Sequence, residues 1–290
     1  MKLLRYGPAK AERPGLLDSK GLIRDLSAHI KDISPETLTP ASLARLAALN
    51  HDELPIVRGT PRLGVPLNGI GKFIAIGLNY ADHAKEAHLP IPTEPPMFTK
   101  AISSLSGPND DVMLPKDSVK SDWEVELGVV LGRTTRYVGE GEALDCIAGY
   151  VLVNDISERA FQLERGTQWD KGKGCDTFGP VGPWLVTADE VGDPQKLDLF
   201  LNLNGRRMQT GNTQRMIFPV RQLVAYVSQF ITLYAGDLLI TGTPPGVGLG
   251  RKPEPLFLKA GDEMHLGIEK LGEQKQRVIA WRHLGDAVLP

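Results

Sequence analysis

Apolar and polar positions alternate with a period of two along much of this chain, and a helical period is met only in places. The clearest alternation is Trp123-Glu124-Val125-Glu126-Leu127-Gly128-Val129-Val130-Leu131-Gly132. Val125, Leu127, Val129 and Leu131 turn to one face of a strand, and Glu124 and Glu126 turn together to the other. Further strands are predicted near residues 1–6, 15–18, 73–77, 148–155, 183–186, 197–203, 237–241, 263–269 and 276–281, with a turn at Asn204-Gly205. Helices are predicted after Thr39-Pro40, over 81–86 following a strand, as one turn at 157–162, and from Pro219 to Gly236 with Leu223, Val227, Phe230 or Ile231, and Tyr234 as the apolar stripe. Residues 168–180 read as a loop, because glycine recurs too often for a helix. Residues 52–68, rich in Pro and Gly, read as a linker. The expected fold class is mainly β with α (α+β), with residues 1–68 forming a small N-terminal α/β domain and linker and residues 69–290 the larger domain.

Composition narrows the function. The formal net charge is -2 and both signs are mixed along the chain, so no basic footprint calls for nucleic acid or an anionic membrane. There are 31 glycines and 22 prolines, which favours short strands joined by tight turns over a helical bundle. Cys146 and Cys175 form no CxxC pair, the first residues lack the apolar run of a signal peptide, and no apolar run reaches the roughly 18 residues of a membrane span. A cytoplasmic protein with reduced thiols is expected.

Candidate chemistry lies on the strand ends and the segments after them. At a rise of roughly 3.3 Å per residue, Glu124 and Glu126 are close enough to share a cation. Asp155 ends the strand Ala148-Gly149-Tyr150-Val151-Leu152-Val153-Asn154. Three hard oxygen donors with no Cys/His cluster near them suit Mg²⁺, Mn²⁺ or Ca²⁺ better than Zn²⁺. His83 and Glu86 stand at i, i+3 on the predicted helix, the spacing at which a carboxylate can orient an imidazole as a general base. Arg159 and Gln162 share a helical face, and Arg159 offers a fork suited to a carboxylate. Gly242-Thr243-Pro244-Pro245-Gly246-Val247-Gly248 follows a strand and can bring backbone close to a ligand. Each motif taken singly also fits a plain structural role; together they describe one site.

The segments Gly77-Leu78-Asn79-Tyr80-Ala81-Asp82-His83-Ala84-Lys85-Glu86, Glu124-Val125-Glu126-Leu127, Asn154-Asp155-Ile156-Ser157-Glu158-Arg159, Gly172-Lys173-Gly174-Cys175-Asp176-Thr177-Phe178-Gly179-Pro180 and Thr241–248 resemble the fumarylacetoacetate hydrolase superfamily over about residues 70–283. The resemblance implies a rolled core of mixed β-sheets and a homodimer. It implies Mg²⁺ or Mn²⁺ on Glu124, Glu126 and Asp155, a His83–Glu86 dyad acting on water, and Lys173 as a third catalytic group. Tyr80, Arg159, Gln162, Thr177 and Thr243 would surround the substrate. Gly174 stands where many relatives have Ser, so a hydroxyl contact from that position is absent.

The short leading segment resembles the bacterial branch of the family, and the 171–180 run, together with Gln209-Thr210-Gly211-Asn212-Thr213 and Met216-Ile217-Phe218, most resembles branch members acting on 2,4-diketo-3-deoxy sugar acids of the L-rhamnonate or L-fuconate type. The expected activity is metal-dependent hydrolysis of a C–C bond in a β-diketo acid, whether such a sugar acid or an acylpyruvate. Alternatives on the same fold are an oxaloacetate decarboxylase or tautomerase and a ureidoglycolate lyase. A non-catalytic sugar-acid binding protein is the alternative of another class.

Overall fold

A computed structural model describes residues 1–86 and 90–283, and leaves out the side chain of His83. Two sheets dominate it. The larger has nine strands, in the spatial order Ile23–Asp25, Arg13–Leu17, Lys2–Tyr6, Leu185–Thr187, Ile147–Asn154, Val125–Leu131, Leu238–Ile240, Phe73–Ile76 and Met97–Thr99. The smaller has five, in the order Arg206–Asn212, Asp198–Leu203, Glu263–Ile268, Gly272–Ile279 and Val112–Met113. A mainly β chain was expected from the alternation and mixed sheets from the family resemblance, and mixed sheets with few helices are the architecture found.

Val125–Leu131 is central and buried on both faces. Val125, Leu127, Val129 and Leu131 join Leu199, Leu201 and Leu266 of the smaller sheet in one core. Val130, on the face of Glu126, joins Leu3, Leu16, Phe73, Val151 and Leu238 in a second. The strands of the leading segment therefore extend the large sheet, with Leu3 opposite Leu185. A helix does follow Thr39, as Pro40–Ala47, and the Thr39 hydroxyl caps it by accepting the Ser42 N–H at 3.3 Å.

Two expectations need correction. The long helix is Val220–Phe230, and Ile231 already has extended backbone. Its buried stripe is Val220, Leu223, Val224 and Val227, and Ile231 just past the helix packs partly buried against the same core, whereas Phe230, the last helical residue, and Tyr234, beyond the helix, are exposed. The segment read as a loop at 168–180 contains a short helix, Asp170–Lys173. Gly172 is there for packing: a Cβ would lie 2.4 Å from the Glu158 carbonyl oxygen and 2.7 Å from Gln162 Cβ.

Candidate active site

The register of the two central strands builds the acidic cluster. Val125 pairs with Asn154 and Glu126 with Val153. The next residues outward, Glu124 and Asp155, therefore face one another across the strand ends, joined by Asp155 N–H donating to the Glu124 carbonyl at 2.8 Å. Carboxylate oxygens of Glu124, Glu126 and Asp155 all lie within 4.8 Å of one another, and all three residues are buried.

Such a cluster is unstable without positive charge. Burial, reinforced by Asp155 and Glu124, pushes the Glu126 carboxyl well above its ordinary range, although the Gly242 N–H donates to it at 2.7 Å. Lys173 answers part of this demand: its Nζ donates to Glu124 Oε2 at 2.7 Å and to Asp155 Oδ2 at 2.6 Å. Burial alone would lower the Lys173 pKa, but the attraction of Asp155 and Glu124 outweighs it and holds the ammonium charged. Asp155 Oδ1 lies 2.7 Å from Lys100 Nζ, out of line for a hydrogen bond, and has no aligned partner among the described residues. A buried, clustered, all-oxygen donor set with an elevated carboxyl fits a divalent cation.

Arg159 closes the cluster on the other side. Its guanidinium donates to Asp122 Oδ2 from Nε at 2.9 Å, to Glu124 Oε1 from Nη2 at 2.6 Å and to Gln162 Oε1 from Nη1 at 2.9 Å. Burial opposes that charge, yet Asp122 and Glu124 raise its pKa. The one-turn helix Arg159–Leu163 starts from the Glu158 carboxylate, which caps Ala160 N–H at 3.3 Å.

The glycine-rich segment also serves the carboxylates through its backbone. Gly246 N–H lies 3.0 Å from both oxygens of Glu86, and Gly242 N–H holds Glu126. Gly246 has φ +108, and a Cβ there would sit 2.0 Å from the Met208 carbonyl oxygen. Thr243 Oγ1 donates to the Val125 carbonyl at 2.9 Å and accepts from Gln209 Nε2 at 2.8 Å.

A cavity of about 380 Å³ opens over these groups, lined by Glu86, Glu124, Glu126, Arg159, Gln162, Lys173 and Thr243, with Ile76, Phe98, Leu163, Trp169, Val247 and Leu249 as its apolar wall. Seven expected residues thus meet at one cavity, and Asp155 lies directly beneath through its contact with Lys173. The expected His83 stands on the Ala81–Glu86 helix, and its side chain lies outside the described residues.

Two others sit elsewhere. Tyr80 is wholly buried in the core, its hydroxyl has no hydrogen-bond partner among the described residues, and burial with Glu126 nearby drives its pKa upward. Thr177, at φ +64, accepts Met113 N–H at 2.9 Å and latches the loop to the smaller sheet. Neither lines the cavity. Cys175 has no assigned role, and burial pushes its thiol up to about 11, which keeps it protonated at neutral pH.

Sequence reasoning missed Lys100 and Asp122. The Lys100 side chain is fully buried, and its ammonium donates to the Ile156 carbonyl at 3.3 Å and to the Lys173 carbonyl, so it ties a carboxylate of the cluster to the helix that carries Lys173. Burial lowers its pKa despite Asp155. Asp122 holds Arg159 and also accepts the N–H groups of Gly248 at 2.6 Å and Leu249 at 3.0 Å. A charged residue beside an apolar strand was the only signal for either.

A family model described as the fumarylacetoacetate (FAA) hydrolase C-terminal region matches residues 72–279. Over 288 residues, 99% of either chain, the sequence is 64% identical to a 2,4-didehydro-3-deoxy-L-rhamnonate hydrolase of Sphingomonas sp. strain SKA58. Among solved structures, fumarylacetoacetate hydrolase from psychrophilic Exiguobacterium antarcticum superposes with a TM-score of 0.83 at 32% identity, over 97% of this chain and 100% of that one. Maleylpyruvate hydrolase from Sphingobium sp. SYK-6, solved with manganese(II) and pyruvate, gives 0.80 at 28% identity over the same shares. The domain match, the near full-length identity and the shared fold agree with the carboxylate cluster: this chain is a hydrolase belonging to the fumarylacetoacetate hydrolase family.

Proposed function

We propose that this enzyme hydrolyses the C–C bond between the two carbonyls of a 2,4-diketo-3-deoxy sugar acid, the L-rhamnonate derivative or a near relative, releasing pyruvate and a hydroxy acid. The observation that carries the reading is the buried triad Glu124, Glu126 and Asp155, with Lys173 bridging Glu124 and Asp155, at a cavity lined by Glu124, Glu126 and Lys173 together with apolar side chains. The 64% identity to a hydrolase of that name supports the same substrate class.

Glu124, Glu126 and Asp155 would hold a divalent ion, Mg²⁺ or Mn²⁺, which would supply positive charge to a keto-acid substrate. Arg159 and Gln162 line the same cavity and give that substrate orientation, and Thr243 lines the adjoining wall. Glu86, fixed by the Gly246 N–H, orients His83, which takes a proton from water. Hydroxide adds to the distal carbonyl, the C–C bond breaks, and its electron pair passes to the pyruvate half as an enolate. Lys173 meets that negative charge, and protonation at carbon gives pyruvate. We further propose a homodimer in the cytoplasm; among the described residues no helix is long and apolar enough to cross a membrane.

Decarboxylation of oxaloacetate is the second reading, because the same cluster would stabilise an enolate with no attacking water. A panel of 2,4-diketo-3-deoxy sugar acids, acylpyruvates, oxaloacetate and ureidoglycolate, assayed with Mg²⁺ and with Mn²⁺, separates them. Pyruvate formed fastest from a diketo sugar acid is the expected result. Turnover confined to oxaloacetate or ureidoglycolate would overturn the reading.

A further inference from the structure

The cavity above the carboxylates is about 380 Å³, and a second, more open groove of about 420 Å³ runs beside it, lined by Pro96, Met97, Thr99, Thr167, Gln168 and Asp170. Among the described residues, only Phe98 and Trp169 line both. These two rings pack edge to face with centroids 5.5 Å apart, so they form a partition rather than two loose side chains.

The sequence around the partition makes room for it. Gly77 has no side chain, and a Cβ there would lie 2.6 Å from Trp169 Cζ3, so the indole edge lies against the backbone just past the Phe73–Ile76 strand. The Trp169 carbonyl accepts Gly172 N–H at 2.9 Å and Lys173 N–H at 3.2 Å, which ties the backbone of the partition to the helix that carries Lys173. The Lys173 ammonium stands 5.2 Å from the Phe98 ring centroid. A substrate whose keto-acid head meets Lys173 therefore has only a short distance to extend before it reaches the rings.

We propose that Trp169, backed by Phe98, is a specificity-determining residue that limits the group beyond the scissile carbonyl to a few carbons with an apolar edge. This builds on the diketo-acid reading above. Removing the indole joins the cavity to the neighbouring groove and lengthens the space in line with the head group, while the backbone bonds that hold the Lys173 helix do not involve the side chain.

The test uses two chain lengths and two readouts. Binding of 2-oxobutanoate and 2-oxooctanoate to the Mn²⁺-loaded protein is measured by calorimetry, and hydrolysis of 2,4-dioxopentanoate and 2,4-dioxononanoate is measured by kcat/KM, for wild type, Trp169→Ala and Trp169→Leu. Wild type is expected to prefer the short member in both. The variants are expected to shift the long-to-short ratio by about tenfold or more toward the long acid, with binding of 2-oxobutanoate nearly unchanged. A binding ratio unmoved in whichever variant folds as wild type, or failure of wild type to bind either 2-oxo acid, overturns the partition. If wild type cleaves neither dioxo acid yet the binding ratio moves, simple acylpyruvates are excluded as substrates and the partition stands.

Discussion

Lys173 and the three carboxylates carry opposite charges in one place and are separable by experiment. The ammonium bridges Glu124 and Asp155, so it offsets part of the cluster's negative charge in the resting protein and lines the cavity where an enolate would form. Lys173→Met keeps the length and deletes the charge. It should bind Mn²⁺ no more weakly than wild type, change KM modestly and lose roughly 10²–10³ in kcat, the loss typical of one oxyanion donor. Unchanged kcat would remove Lys173 from the chemistry.

Glu126 gives a pH signature. Its carboxyl titrates above the ordinary glutamate value when folded, so the folded state without metal binds more protons than the unfolded chain in that window. The contribution of this group to stability is therefore fully present below the ordinary value and is lost as pH rises toward the folded one, by up to about 1.4 kcal/mol per pH unit. Melting temperatures of the metal-free protein at several pH values should show this slope, Glu126→Gln should flatten it, and Mn²⁺ should raise the melting point of wild type most at the upper end. A metal-free variant with the same slope as wild type would contradict the assignment.

At the scale of elements, the helix Val220–Phe230 shows what periodicity can and cannot say. Leu223 and Val227 were legible as core positions, but Phe230 and Tyr234 also fit the period and lie outside: Phe230 is the last helical residue, and Tyr234 follows the change to extended backbone at Ile231, the residue that packs against the core instead. Leu223→Ala should cost about 2–5 kcal/mol, while Phe230→Ala should stay within about 0.5 kcal/mol of wild type, both read by chemical denaturation. A large loss at Phe230 would mean that this face is covered.

The helix Asp170–Lys173 was illegible for a related reason. Glycine was read as a helix breaker, whereas Gly172 is required by the close approach of Glu158 and Gln162, a contact between segments distant from any local pattern. The glycines at 242 and 246 were read as bringing backbone close to a ligand, and they bring it to the carboxylates Glu126 and Glu86.

For the whole molecule, alternation along Val125–Leu131 foretold that Glu124 and Glu126 share a face, and the strand-end position of Asp155 foretold its availability. That Glu124 and Asp155 stand opposite depends on the register of two strands, which no local pattern specifies. Lys100 and Asp122 were hidden for the same reason: their partners are tens of residues away in sequence. The leading segment looked separable by composition, yet its first strand pairs with Leu185–Thr187 and its Leu3 and Leu16 share a core with Phe73 and Val151.

The proposed chemistry requires water to attack a carbonyl while a C–C bond breaks. The most direct measurement is turnover of a 2,4-diketo-3-deoxy sugar acid by the Mn²⁺-loaded enzyme in H₂¹⁸O, with early products resolved by mass spectrometry. Water attack predicts pyruvate together with a hydroxy acid whose new carboxylate carries solvent ¹⁸O, both lost in Lys173→Met to the extent that kcat is lost. Release of CO₂ with the rest of the carbon skeleton intact, and no solvent oxygen in a new carboxylate, would contradict it.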